Sequence, residues 1–331
     1  MIDLHLHLDG SLSPKTIIDL AKKDNVKLPT YNANELKKYL SVPKNCKSLN
    51  DYLKCFDLPL SVLQTKKSIT QAVYSLQKEL KKQGLIYAEI RFAPQLHTKK
   101  GLSQEEVVKA AIKGLKKSSF KANLILCCMR GDNNHEENLT TVLLAKKYLN
   151  KGVCAIDLAG AEAIFKTNTF FKEFELAKKL NIPFTIHAGE ADGPESVEAA
   201  LNFGAKRLGH GIRSIEDEGV LKRIVDEKIA LEMCPTSNFQ TKAVKLIKDY
   251  PFKKFLKAGV VITINTDNTT VSNTNIANEF EFLRKNYHLT KQEEFNLLNN
   301  SIKVAFISEK EKEKLCKILS KKCGKNLDFN K

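Results

Sequence analysis

Apolar residues, many of them β-branched, recur along the chain in short runs at 2–7, 86–92, 122–129, 153–158, 183–188, 207–209, 229–233 and 260–265. Runs this short and rich in Val and Ile read as strands buried on both faces. Between them the apolar positions switch to helical spacing. One helix start is explicit. Ser103-Gln104-Glu105-Glu106 forms a capping box, and Val107, Val108, Ala111, Ile112 and Leu115 follow on one face. Eight strands separated by helices predict an α/β fold, the (β/α)8 TIM barrel. Residues 8–85 separate the first two strands, which leaves room for an extra helical insertion after the first strand. A doubly wound open sheet is the alternative, but no Gly-rich phosphate loop follows the first strand. No linker, repeat or low-complexity run divides the 331 residues, so a single domain spanning 1–331 is expected.

The net charge of +16 raises the possibility of nucleic acid. Only six of the 54 basic residues are arginine, however. The lysines come as scattered doublets, such as Lys22-Lys23, Lys66-Lys67, Lys116-Lys117 and Lys178-Lys179, on the polar faces of helical patterns. A nucleic-acid surface would cluster Arg with interleaved aromatics. Solvated helix faces and no nucleic-acid partner are therefore expected. An inactive barrel that binds nucleic acid through its surface lysines is the rival from another class. No apolar stretch reaches the ~18–20 residues that cross a bilayer, so no membrane partner is expected. The first strand begins at Ile2 without a charged leader, so no signal peptide is expected either. The eight cysteines lack CxxC spacing, and Cys127-Cys128 sits in an apolar run and reads as core. That usage suits reduced thiols and a cytoplasmic protein. The pattern fixes no oligomeric state.

The candidate chemistry starts in the first run, HLHLDG. His5 and His7 lie two apart, so a strand projects both rings from one face. Buried imidazoles need partners, and a metal ion is one that both can share. Active sites of such barrels sit at the C-terminal strand ends. The polar residues there are His5, His7 and Asp9, then Asp157 and Gly160 in IDLAGAE, and His187 and Glu190 in TIHAGE. His210 in RLGHG, Glu232 in LEMCPTSN, and Asp267 and Asn268 in INTDN complete the rim. Four of the seven histidines fall at these positions; His97, His135 and His288 have polar neighbours and read as structural. Three imidazoles and a carboxylate suit Zn2+ with one position open to water. Such an ion brings the pKa of bound water to about 7. The remaining His and Glu supply a base and an acid. The residues thus point to a metal-assisted hydrolase and leave its substrate open.

The stretches HLHLDGSL, RFAPQ, IDLAGAE, HAGE, RLGHGIR, EMCPTSN and INTDN together resemble the adenosine deaminase family, in that family's order, from residue 3 to 268. The resemblance implies a (β/α)8 barrel and hydrolytic removal of the purine 6-amino group. Adenosine, and 2′-deoxyadenosine with it, would give inosine or deoxyinosine and ammonia, in purine salvage. It further implies that His5, His7, His187 and Asp267 bind one Zn2+ per chain. Glu190 would protonate purine N1, and His210 would orient the attacking water and act as base. The Gly160 N–H would meet purine N3, and Asp9 would bind the ribose 5′-hydroxyl with His7 near the sugar. In SLNDYLKCFDLP, Leu49, Tyr52, Leu53 and Phe56 share a helical face. Family members use a corresponding stripe to cover the substrate, so Leu53 and Phe56 are expected to touch it.

Two positions depart from the pattern. Asn268 stands where the family often has Asp; an Asn NH2 can donate to purine N7 at any pH, whereas an Asp must hold a proton to do so. Tyr250 stands before Pro251 where relatives often carry His; it lies away from the motifs and carries no functional reading. The near rivals are an adenine deaminase or an aminofutalosine deaminase. Asp9 and IDLAGAE favour a nucleoside over a bare base. Zinc deaminases of the cytidine type are excluded, because H-x-E paired with P-C-x-x-C is absent.

Overall fold

The computed structural model describes residues 1–323. Its eight strands are β1 (Ile2–His7), β2 (Tyr87–Phe92), β3 (Ala122–Met129), β4 (Val153–Ala159), β5 (Thr185–Ala188), β6 (Arg207–His210), β7 (Ala230–Met233) and β8 (Val261–Ile264). All neighbouring pairs are parallel, in two runs ordered β1-β2-β3-β4 and β5-β6-β7-β8. Parallel bridges join the runs at both seams, between Ile156 and Phe184 and between Leu6 and Asp267. At the second seam His7 N donates to Asp267 O at 2.8 Å, and Asp267 N to His5 O at 2.8 Å. The sheet is therefore closed, as the alternation of runs predicts. That closure brings the first and last strands together and sets Asp267 beside the two N-terminal histidines.

The expected insertion is present. Between β1 and β2 the chain forms helices at Pro14–Asp24, Ala33–Leu40, Leu49–Leu53, Asp57–Ser61 and Lys66–Lys82. Local chemistry sets their ends. Ser13 caps the first helix ahead of Pro14, and Asn25 ends it in the left-handed region at φ 52°. Thr65 and Ser68 form a capping box at the start of the last. The predicted box at Ser103 and Glu106 is likewise formed. Each lysine doublet named above lies exposed on a helix face, and Lys66 pairs with Glu106 at 2.7 Å. Among the described residues no helix is long and apolar enough to cross a membrane.

The outward faces of the strands pack Leu4, Leu6, Ala88, Ile90, Leu124 and Leu126 against the helices, all fully buried. The inward faces are different. Glu89, Arg91, Asp157, Arg207 and Glu232 point into the barrel and are 0–1% exposed. Arg91 donates to Asp157 and Glu232, both at 2.8 Å, and to Leu4 O at 2.7 Å. Arg207 donates to Glu232 at 2.7 Å and Glu89 at 2.6 Å, with its guanidinium stacked 3.8 Å from the Phe306 ring. Ions buried this deeply are tolerated only when their hydrogen bonds are nearly complete. Stability comes from the apolar layer outside the sheet, at roughly 25 cal/mol per Å2 removed from water. The polar interior fixes geometry at the rim above it.

Candidate active site

His5 and His7 leave β1 on its inward face, His187 comes from β5, and Asp267 follows β8. One ligand atom from each lies within 4.8 Å of the other three. His7 Nε2 is 3.2 Å from His187 Nε2, and the Nε2 atoms of His5 and His7 are each 3.4 Å from Asp267 Oδ1. Four donors arranged tetrahedrally at Zn–N distances of about 2.0–2.1 Å would be separated by about 3.3 Å. The spacing therefore fits one ion. A second observation agrees: His5 Nε2 is fully buried without a hydrogen-bond partner, although its ring Nδ1 is engaged. An orphaned acceptor is costly unless something else uses its lone pair. Glu190 lies outside this group of ligand atoms.

The backbone supports the cluster at two strained positions. His210 and Asp267 have φ of 61° and 59°, the left-handed region that non-glycine residues rarely adopt. Gly209 makes room: a Cβ there would lie 2.9 Å from His5 Cε1 and 3.1 Å from His187 Cα. The rings are then held from behind. His5 Nδ1 meets Glu232 Oε2 at 2.9 Å, and His187 Nδ1 meets Asp157 Oδ2 at 2.9 Å. These carboxylates fix each ring with Nε2 toward the ion position. Burial alone would raise the Glu232 carboxyl, but the charges of Arg91 and Arg207 hold it well below the usual range. Burial likewise opposes the ionised Asp267, yet its 3.4 Å contact with His5 and the charges of His7 and His5 keep it well below its ordinary value. Ser237 also donates to Asp267 Oδ2 at 2.6 Å.

Beside the cluster, Glu190 Oε2 is 3.4 Å from His210 Nε2, both side chains almost fully buried. Burial, then the negative charges of Asp267 and Glu162, push the Glu190 carboxyl well above its ordinary pKa. Thr241 donates to its other oxygen at 3.1 Å. Burial, reinforced by His5, lowers His210 well below its ordinary value, so the ring is neutral. Its Nδ1 meets the Asn238 amide at 3.0 Å.

These groups open onto a cavity of about 280 Å3, near the lower end for small-molecule sites, about 300 Å3 upward. Of the rim and cover residues read from the sequence, His7, Asp9, Leu53, Phe56, Gly160, His187, Glu190, His210, Asp267 and Asn268 line it, while His5, Asp157 and Glu232 do not. A larger groove of about 670 Å3 lies among the outer helices, between Lys23, Lys67 and Lys113, and contains none of these residues. Burial raises the Asp9 carboxyl to about 6. Asn268 sits tightly against Gly10, where a Cβ would lie 1.8 Å from its Oδ1.

Some of the wall is not anticipated from the sequence, although Arg130 directly follows the third apolar run and is a strand-end signal that the sequence reading omits. Leu60, Leu96, Met129 and Arg130 line the cavity, as does Cys127, read from sequence simply as core. Asp157 and Glu232 stand out in sequence as strand-end acids, but their contacts with the histidine rings depend on the closed barrel. Tyr250 corrects the sequence reading. Its ring is buried, and its hydroxyl donates to Asn238 Oδ1 at 3.3 Å, directly behind the amide that holds His210. The fold brings it there although it lies outside every motif, twelve residues beyond Asn238, so the linear reading misled. His97 is structural as expected, buried with Nδ1 2.9 Å from Leu63 O.

A closed parallel barrel whose rim joins a His/Asp metal group to a buried acid and a neutral imidazole defines a metal-assisted hydrolase. The chain belongs to the adenosine deaminase family, whose model matches residues 1–322. An adenosine deaminase of Haemophilus ducreyi is 56% identical over 323 residues, covering 95% of this chain and 94% of that one. Among solved structures, an adenine deaminase from Arthrobacter aurescens is 27% identical with a TM-score of 0.86, covering 98% of each chain. The Arabidopsis ADAL protein complexed with IMP is 26% identical with a TM-score of 0.86, covering 98% of this chain and 96% of that one.

Proposed function

We propose that the protein deaminates adenosine and 2′-deoxyadenosine hydrolytically, giving inosine or deoxyinosine and ammonia for purine salvage. One observation carries the reading: Glu190 is a buried carboxyl held toward its protonated form, facing His210 across the cavity that His7 and Asp267 also line. Addition of water at purine C6 drives an electron pair onto N1, and a proton must arrive there. Glu190 supplies it. His210 orients the water and takes one of its protons through Nε2. That role requires Nδ1 to carry the ring hydrogen, so the Asn238 amide must be turned from the orientation in which Nδ2 faces His210, giving its oxygen to Nδ1 and its NH2 to the Tyr250 oxygen. As the C6–N bond breaks, His210 passes its proton to the departing amine, and the remaining hydrogen of the water restores the Glu190 carboxyl. The products balance as inosine and ammonia.

His5, His7, His187 and Asp267 would hold one Zn2+ per chain, the ion that three imidazoles and a carboxylate suit. When bound, it supplies the Lewis acidity that lets a water lose its proton near neutral pH. Around the substrate, the Gly160 N–H would meet purine N3, the Asn268 amide N7, and Asp9 the ribose 5′-hydroxyl, with His7 beside the sugar. Leu53 and Phe56 would cover the ring. The buried Asp9 is what favours a nucleoside over the bare base named for the Arthrobacter neighbour. Cys46, Cys55, Cys127, Cys128, Cys154, Cys234 and Cys316 are free and buried, which supports a reducing, cytoplasmic setting. The test is the ultraviolet absorbance change of the purine, measured with adenosine, 2′-deoxyadenosine, adenine and AMP. Turnover of the two nucleosides well above the others is expected; preference for adenine would replace this reading with its nearest rival.

A further inference from the structure

The loop carrying Glu190 is tied down by a residue that plays no part in the chemistry above. Glu162 follows β4 and is 1% exposed. Its Oε1 accepts from Gly189 N at 2.7 Å and from the Ser196 hydroxyl at 2.5 Å. Its Oε2 accepts from the backbone N–H groups of Glu190, Ala191 and Asp192 at 3.0, 2.6 and 3.2 Å. Four consecutive amides thus turn inward on one carboxylate, an anion nest whose anion is a side chain of this chain. The turn depends on Gly189, at φ 71°, where a Cβ would strike Val197 Cγ2 at 2.6 Å.

The clamp is itself braced. Ser196 Oγ is 2.6 Å from Thr167 Oγ1, which accepts from Arg130 Nη2 at 2.8 Å. The same Arg130 nitrogen donates to His187 O at 2.6 Å, and Nη1 to Phe165 O at 2.7 Å. Glu162 also lies two residues beyond Gly160, which lines the cavity. The segment at the purine edge and the loop bearing the acid are therefore joined through one carboxylate.

We propose that Glu162 is the positioning residue for the acid: its carboxylate clamps residues 189–192 so that the Glu190 side chain meets the purine ring, and its charge acts on Glu190 alongside that of Asp267. The proposal rests on the deaminase reading. Glu162 does not line the cavity, and among the described residues its hydrogen bonds go to residues 189–192 and Ser196 rather than to the metal group. The groups facing Glu190 are Asp267, His210, Glu162 and the Thr241 hydroxyl. Removing the Glu162 charge lowers the Glu190 pKa. An acid that must be protonated then fails at a lower pH.

The test is Glu162→Gln. An amide offers one acceptor oxygen, so two or three of the five donors face an NH2 instead. Misplacing a catalytic group by about 1 Å can cost ~10²-fold. A fall in kcat of roughly ten- to a hundredfold is expected, with zinc content and KM for adenosine near wild type. The alkaline limb of the kcat–pH profile should move to lower pH, which a merely structural lesion would not cause. Added to Glu190→Gln, the change should cost little more. Wild-type kcat with an unmoved limb, parallel loss of zinc, or a full multiplicative loss in the double variant overturns the proposal. If E162Q does not fold, Glu162→Asp keeps the charge but shortens the reach. It should lower kcat without moving the limb, and wild-type turnover would be decisive against the clamp. Inactivity of the wild type on adenosine would sink the deaminase reading instead. The clamp is then judged by hydrogen exchange at amides 189–192, which must quicken in the variant; unchanged exchange refutes it.

Discussion

Glu232→Gln isolates the charge beneath the metal group without altering its shape. In the wild type, Glu232 Oε2 takes bonds from His5 Nδ1 at 2.9 Å and Arg91 at 2.8 Å, while Oε1 takes one from Arg207 at 2.7 Å. A glutamine must turn its NH2 toward either Arg207 or the Arg91/His5 pair, and both are donors. His5 can relieve the clash by moving its ring hydrogen to Nε2, but that nitrogen is the one facing the ion position. Loss of such a partner typically costs about 10–100-fold in metal affinity. That equals about 1.4–2.8 kcal/mol. Arg91 keeps Asp157 and Arg207 keeps Glu89, so neither guanidinium is stranded. The structural loss should therefore sit near the low end of the about 3–5 kcal/mol for a broken buried pair. At about 1.5 °C per kcal/mol for a chain of 331 residues, the metal-free protein should melt roughly 4–5 °C lower. The assay is a chelator titration of zinc, paired with thermal unfolding of the metal-free and zinc-loaded protein. An unchanged chelator midpoint would refute the claim that Glu232 sets the His5 ring for the metal.

Glu190→Gln should retain zinc and bind purine ribosides yet lose at least ~10²-fold in kcat, the scale of general-acid catalysis; near-normal turnover would remove it as the acid. Because burial raises the Glu190 carboxyl, its acid form is present below the raised pKa and lost as pH climbs through it. The wild-type kcat should accordingly fall on the alkaline side, with E190Q showing no such limb. Asp267→Ala should abolish zinc content and activity together, as metal analysis will show, and full-strength zinc binding would strike Asp267 from the ligands. Gly10→Ala should displace the Asn268 amide, since its Cβ would fall 1.8 Å from Oδ1. KM for adenosine should rise while zinc content holds, and unchanged kinetics would mean that Asn268 does not read the purine edge.

The fold was legible because a parallel barrel buries its strands on both faces. The eight apolar runs therefore stood out, and all eight became strands within a residue or two of their ends. Thr185–Ala188 began later than its run, because Phe184 and Pro183 form the seam with β4 through an isolated bridge rather than a ladder. The long insertion was visible as spacing. Its internal breaks were not, because Leu49–Leu53 and Asp57–Ser61 are five residues each, too short to show a helical period of their own.

The rim was legible for a related reason. A polar residue that ends an apolar run has few structural excuses, and four histidines at such ends pointed to one place. What linear pattern could not reveal was pairing across the barrel. Glu232 reads as one more strand-end acid until closure sets it 2.9 Å from His5, and Tyr250 reads as nothing until a helix folds it behind Asn238. Glu162 is the sharpest case. It stands in the IDLAGAE motif, two residues from Gly160, and its side chain bonds nothing in its own segment. All five of its donors come from residues 189–196, on the next strand's loop and helix. A carboxylate that serves backbone amides leaves no trace in the identity of those residues, because every non-proline residue carries the same N–H. Groups that act through side chains can be found from residue types and spacing. Groups that act by holding backbone become visible only when the chain is folded.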